Sequence, residues 1–389
     1  MNYIPLTQVC DFQGGSQPPK EQWIDHAEDG YIRMLQIRDF TQPDKDNIEY
    51  VRLTKTVKTC NEDDILIGRY GASVGKILTG LSGAYNVAII KTIPDASKLT
   101  KRFLYHYLNS PYFQSFILSV GSRAAQAGFN KEDLSDAQIP QLSLKEQEYV
   151  TSRLDKIVDL IALRKQQLSK LDELVKSRFI EMFGDPTLNP FGWKIVNIAE
   201  VVGGKVTNGF FAKRDEYMDD GNVKVLGVAN IVNRMYSNVK DLPRTNGTAS
   251  DIQKFEVRYG DMLFCRSSLV AEGIGKASIV PHDVPPNTLF ECHVIRLPLD
   301  LNKCVPEFMQ VLSTTDYFRN QVIAQSKTAT MTTIGQDGIL KTMIILPPIE
   351  KQQQFLEFVN QTDKSKFEIQ KSLEKLETLK KALMQKYFG

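Results

Sequence analysis

The chain has little from which to build a disulfide framework or a metal centre. Its five cysteines, Cys10, Cys60, Cys265, Cys292 and Cys304, are odd in number and never spaced C-x-x-C, and its four histidines, His26, His106, His282 and His293, include no close pair. Neither a set of bridges nor a zinc site is indicated. No apolar run approaches the ~18 residues needed to cross a bilayer. The opening Met1-Asn2-Tyr3-Ile4-Pro5-Leu6-Thr7 lacks the basic and apolar regions of a secretion signal, so a cytoplasmic protein is expected. Charge of one sign is also scarce: the formal net charge is +2 over 389 residues. Any nucleic-acid surface is then a local patch, not the whole molecule.

Catalytic signatures are imitated but not completed. Gly71-Ala72-Ser73-Val74-Gly75-Lys76-Ile77 resembles a phosphate-binding loop, yet it has three residues between its glycines instead of four and no Ser or Thr after the lysine. Gly14-Gly15 is too poor in glycine spacing for a dinucleotide loop. Asn189-Pro190-Phe191 lacks the second proline of an amino-methyltransferase motif, and Pro94-Asp95 through Lys98 lacks the second acidic residue of a metal-dependent nuclease. With no paired carboxylates and no Ser/His/Asp order, the chain reads as non-catalytic.

What is present is a duplication. A shift of 205 positions lays Phe103–Gly184 on Phe308–Gly389 without a gap, matching Gln147 with Gln352 and Leu168, Leu171 and Phe183 with Leu373, Leu376 and Phe388. Nearer the N-terminus the shift drifts, but Asp64-Ile65-Leu66-Ile67 still answers Asp261-Met262-Leu263-Phe264. Solenoid repeats are far shorter, so this is a domain duplication. In each copy short β-rich runs precede a mixed segment and a long helical tail. Ile32 to Ile37, Asp64 to Ile67 and Val87 to Lys91 read as strands in the first copy, and Val223 to Val228, Met262 to Phe264 and Cys292 to Leu297 in the second.

The tails carry a strict 4-3 apolar spacing: Val150, Leu154, Ile157, Ile161, Leu168, Leu171 and Val175 in one, and Phe355, Val359, Ile369, Leu373, Leu376 and Leu383 in the other, with polar breaks at Thr362, Lys366 and Lys380. This is a coiled-coil seam, and each helix would measure about 60 Å. Two matching stripes on one chain most economically cover each other. The competing reading lays each helix on its own globular domain, against which the sustained periodicity argues. The expected fold is α+β, with two similar globular domains separated by two long antiparallel helices forming a coiled coil. Its divisions fall at 1–144, 145–186, 187–349 and 350–389.

Paired loops with cations remain as candidate chemistry. Arg69, Tyr70 and Ser73 in copy one, and Arg266, Ser267 and Ser268 in copy two, follow an apolar strand, and Lys76 and Lys276 come soon after. Ser122, Arg123 and Gln126 answer Lys327, Thr328 and Thr330, and Lys205 follows the Gly203-Gly204 opening. Arginine bonds two guanine acceptors at once, serine or glutamine reads adenine or phosphate, and glycine lets backbone approach a duplex. For any one residue a solvated strand-to-turn hairpin is the competing reading. Recurrence of a cation at both loops of both copies favours DNA contact.

From end to end the chain resembles the DNA specificity subunit of Type I restriction-modification enzymes. The features that carry the resemblance are the Gly14-Gly15 and Gly203-Gly204-Lys205 openings, the Asp64 and Asp261 strands, Ile139-Pro140 through Gln147 with Leu346-Pro347-Pro348-Ile349 through Gln352, and the Met182-Phe183-Gly184-Asp185-Pro186 junction before Trp193. The resemblance implies two target recognition domains, each reading half of a bipartite double-stranded DNA site, with the helices as spacer. It also implies assembly with two methylation subunits and with motor-nuclease restriction subunits. S-adenosylmethionine, ATP and magnesium would sit on those partners, none on this chain. Copy two lacks the Gly71–Lys76 run, having Val270 through Gly275-Lys276 instead, so the halves are expected to read different sequences. The alternative from another class is a tandem protein-interaction scaffold without DNA binding, which predicts no salt-dependent DNA affinity.

Overall fold

The computed structural model describes residues 2–42, 47–121, 128–328 and 330–389. The chain divides into two compact units. One comprises residues 1–166 with 370–389, the other residues 167–369.

The first unit holds a four-stranded antiparallel sheet ordered Cys10–Gly14, Ile89–Pro94, Leu66–Gly68, Ile77–Leu78. Beside it lies a five-stranded sheet in which Tyr31–Leu35 pairs in parallel with Gly83–Tyr85. The second unit repeats the plan. Thr207–Asn208, Val294–Pro298, Asp261–Cys265 and Ala277–Ile279 form the four-stranded sheet, and Val223–Leu226 pairs in parallel with Thr288–Phe290. The expected strands stop short at two equivalent places, because Ile37 and Val228 each open a helical turn. In both, a side chain two residues into the turn caps it: Asp39 accepts from the Gln36 amide at 2.7 Å and Asn230 from the Gly227 amide at 3.0 Å. Such a bond satisfies an amide the helix leaves orphaned, and it outweighs the β propensity of the branched residue.

Helix pairs Lys101–Leu108 with Pro111–Gly121, and Pro306–Ser313 with Asp316–Ala324, cover these sheets. Each unit is then closed by parts of two long helices, Leu144–Phe183 and Ile349–Phe388. In the first unit Val150 and Leu154 share a core with Met384, Tyr387 and Phe388, and Lys165 lies 3.6 Å from Glu377. In the second, Val175, Phe179 and Phe183 meet Phe355 and Val359, and Lys366 reaches Asp172 at 2.6 Å. Within each unit, partner numbers fall as the first helix advances, so the pairing is antiparallel. Of the expected seam, Leu154, Ile157, Val175, Val359 and Leu373 are buried, and Ile161, Leu168, Leu171, Ile369, Leu376 and Leu383 are half-buried. The polar breaks are accommodated: Thr362 is buried and bonds the Phe358 carbonyl of its own helix at 3.0 Å.

One buried amide recurs in both units. Gln147 accepts from the Thr100 amide and donates to the carbonyls of Lys98 and Leu142 at 2.7–3.0 Å. Gln352 accepts from the Val305 amide and donates to the carbonyls of Lys303 and Pro347 at 2.8–3.2 Å. Every partner is displaced by the same 205 positions. The amide ties the start of a long helix to the loop that launches the first short helix, satisfying backbone groups that burial would otherwise orphan.

Candidate nucleic-acid interface

Both four-stranded sheets end in the same loop. In the first unit the strand Leu66–Gly68 leads into Arg69, the turn Gly71–Ser73 and Gly75, whose amide returns to the Gly68 carbonyl at 3.0 Å while the Gly68 amide bonds the Lys76 carbonyl at 2.9 Å. In the second, Gly275 returns to the Cys265 carbonyl and Cys265 bonds the Lys276 carbonyl, both at 2.8 Å. Glycine is required at the return. Gly75 has φ +77° and Gly275 φ +62°, and a Cβ there would press on Ile117 or collide with Val322. The second loop is longer by three residues, since its strand and returning glycine are ten apart rather than seven. That length makes room for a strand pairing of its own.

Ser267–Ser268 pairs with Thr332–Thr333, which pairs in turn with Lys327–Thr328. The structure thereby brings Ser267, Ser268, Lys327 and Thr328 onto one small sheet, with Arg266 directly before its first strand and exposed Thr330 at its turn. In the first unit the matching contact is the bridge between Tyr70 and Gly128. Ser122, Arg123 and Gln126 lie outside the described residues; the segment's flanks close on each other through a 3.2 Å bond from the Gly128 amide to the Gly121 carbonyl.

The two arginines are half-buried and partly committed. Arg69 Nε donates to the Phe129 carbonyl at 3.2 Å, with the guanidinium 5.1 Å from the exposed Tyr70 ring. Arg266 Nη1 donates to the Cys292 carbonyl at 3.3 Å. Each side chain holds its loop with one N–H and keeps others for a ligand. Ser73 is half-buried in its turn and Lys76 is exposed. Lys276 donates to Asn233 Oδ1 at 2.8 Å and lines a cavity. Lys205 is not brought to this cluster. It follows Gly204, which packs on Pro298, and the Arg266 loop leaves from the Val294 end of the same strand, about 13 Å away at ~3.3 Å per residue.

Large apolar side chains around the second loop were not read from sequence. Leu269 is 83% exposed and Val270 58%; both directly follow the Ser267–Ser268 strand. Phe211 is 69% exposed, beside the Phe210–Glu291 bridge next to the carbonyl that holds Arg266. An apolar pair in a polar loop with no alternating partner was the available signal. Such tips meet thymine methyl groups as readily as another protein. Among the described residues no group of three or more His, Cys, Asp or Glu is placed to hold a metal ion, and no helix is long and apolar enough to cross a membrane.

Two α+β units built to one plan, each presenting an Arg-turn-Gly-Lys loop and sharing two long helices, define a duplicated recognition scaffold. The chain belongs to the family of the Type I restriction modification DNA specificity domain, which matches residues 1–173 and 190–381. It is 22% identical over 377 residues to the Type I restriction enzyme MjaVIII specificity subunit of Methanocaldococcus jannaschii, covering 93% of this chain and 86% of that one. It is also 22% identical over 423 residues to the StySPI specificity subunit of Salmonella potsdam, covering 99% and 87%. In fold it is similar to the crystal structure of a Type I system S subunit from M. genitalium, with TM-score 0.57 and 12% identity over 100% of this chain and 96% of that one.

Proposed function

We propose that each unit reads one half of a bipartite double-stranded DNA site, the Arg69 loop serving one half and the Arg266 loop the other. The observation that carries this reading is the recurrence of one loop geometry with different side chains and different length. A common frame with divergent tips suits two unlike half-sites. Ser267, Ser268, Lys327 and Thr328 on one small sheet, with Arg266 directly before it, offer donors to a groove, and Leu269 adds an apolar contact. The chain itself supplies specificity without chemistry. Methylation subunits, two per chain, and motor-nuclease subunits would bring S-adenosylmethionine, ATP and magnesium, in the cytoplasm. The two half-sites each give a few kcal/mol of discrimination, and tethering makes the second engagement intramolecular.

The test is methylome sequencing of cells carrying this chain with its partner subunits, followed by single substitutions. Arg266→Ala is expected to relax preference only in one half of a bipartite motif and Arg69→Ala only in the other, each by about 1–3 kcal/mol at one position. Equal loss on cognate and scrambled half-sites would make that arginine a phosphate clamp. A methylome unchanged by removing the chain would overturn the reading.

A further inference from the structure

In the second unit a cavity of about 390 Å³ lies where Lys276 leaves the loop. Five cations line it, Lys176, Arg234, Lys276, Arg319 and Lys366, against one carboxylate, Asp172, a formal excess of +4. Lys366 is held by Asp172 at 2.6 Å and by Asp363 at 3.6 Å. Among the described residues the other four have no carboxylate within 4.0 Å; the nearest polar partners of Lys276 and Arg319 are neutral, the Asn233 amide oxygen at 2.8 Å and the Glu272 carbonyl at 3.0 Å. Among the described residues the buried Nη1 atom of Arg319 has no hydrogen-bond partner, and burial lowers the guanidinium below the usual arginine value, the nearby Cys265 opposing this. A desolvated cation with no counter-charge is costly, and the cost is relieved by an anion.

The first unit does not repeat this arrangement. The residue answering Arg319 is Gln114, and the one answering Lys366 is Ile161. The match is structural as well: Gly75 packs against Gln114 and Ile117, as Gly275 packs against Arg319 and Val322. In the first unit Gln114 simply donates to the Gly75 carbonyl at 2.9 Å. Lys276 and Lys176 are answered by Lys76 and Lys381, so Arg319 and Lys366 are the additions to a frame that stands without them.

We propose that this cavity binds a phosphoryl anion carrying two or more negative charges. Arg319 and Arg234 offer the planar fork that matches phosphate oxygens, and the lysines supply point charges from three other segments. A single carboxylate would leave most of the excess charge uncompensated. Half-apolar walls, including Val175 and Met235, and a volume in the range of small-molecule sites leave room for more than one phosphate. The same chemistry is offered by a backbone phosphate of bound DNA and by a free pyrophosphate or nucleotide.

The experiment is calorimetric titration of the full-length chain with inorganic pyrophosphate, paralleled by binding of a duplex lacking the cognate half-sites. Wild type is expected to bind one pyrophosphate. Arg319→Gln, which installs the first unit's residue, is expected to weaken binding roughly tenfold or more, with Arg319→Lys intermediate. Arg234→Gln, at an exposed loop position, is expected to weaken it as well, with melting temperatures confirming that the variants fold. No pyrophosphate binding by wild type, or wild-type affinity in both glutamine variants, would overturn the proposal. If pyrophosphate displaces the duplex and Arg319→Gln lowers its salt slope by about 1, the source is the DNA backbone; if duplex binding is undiminished, it is a free phosphate. A chain that takes pyrophosphate but binds neither this duplex nor one carrying the half-sites found in the methylome would keep the pocket and overturn the DNA-reading function.

Discussion

Gln352 is fully buried among backbone groups of three segments that have no other partner among the described residues, and Gln147 repeats it. Replacing Gln352 by leucine keeps the volume but orphans one amide and two carbonyls, at about 1–3 kcal/mol for each buried group left unsatisfied. The expected outcome is a loss of roughly 3 kcal/mol or more in urea unfolding, and a loss under 1 kcal/mol would mean water replaces the amide. Glu307 is the opposite case. Burial raises its carboxyl above the usual range, against the Glu307 amide and the Tyr236 hydroxyl at 3.0 Å, with Asp363 raising it further and His282 lowering it. A carboxyl whose folded pKa is raised holds its proton longer in the folded state, so stability falls as pH rises from the unfolded value through the folded one. Glu307→Gln is therefore expected to raise the melting temperature by a few degrees at pH 8 and by less at pH 4.5. An equal gain at both pH values would show that charge is not the cause.

At the scale of elements, the long helices were legible because a 3.5-residue stripe survives any context, and Leu154, Val175, Val359 and Leu373 are buried as that stripe requires. Where each helix finds its partners was not legible. The two stripes are alike, so spacing alone cannot say that Phe179 stacks on Phe308 at 5.5 Å and that Phe388 meets Phe103 in a tilted contact at 5.2 Å. The small sheet of Ser267–Ser268, Thr332–Thr333 and Lys327–Thr328 was equally hidden, since two-residue strands carry no alternation. Ser267, Ser268, Lys327 and Thr328 nonetheless stand out in the sequence, because composition recurs even where geometry is silent, whereas the middle strand Thr332–Thr333 does not. Lys205 shows the limit: a lysine after two glycines looks like a loop contact, and only the strand register sends it to the other end of the sheet.

At the scale of the whole chain, the repeat and the compact unit do not coincide. The repeat runs through Gly184, whereas the first unit gives up residues after 166 and is closed by 370–389. A fragment of residues 1–184 would thus expose Val175, Phe179 and Phe183, which belong to the other unit's core, and would lack Met384, Tyr387 and Phe388. Under the 205-residue shift, Phe179, Met182 and Phe183 stand where Met384, Tyr387 and Phe388 are missing, so a second copy of the fragment carries the replacement. The fragment is expected to sediment as a dimer at micromolar concentration, and a stable monomer would refute the exchange. Two identical heads would then face two identical half-sites in inverted order. A gene half this long would encode a reader of palindromes, and it is the covalent fusion of the halves that lets the target lose its symmetry.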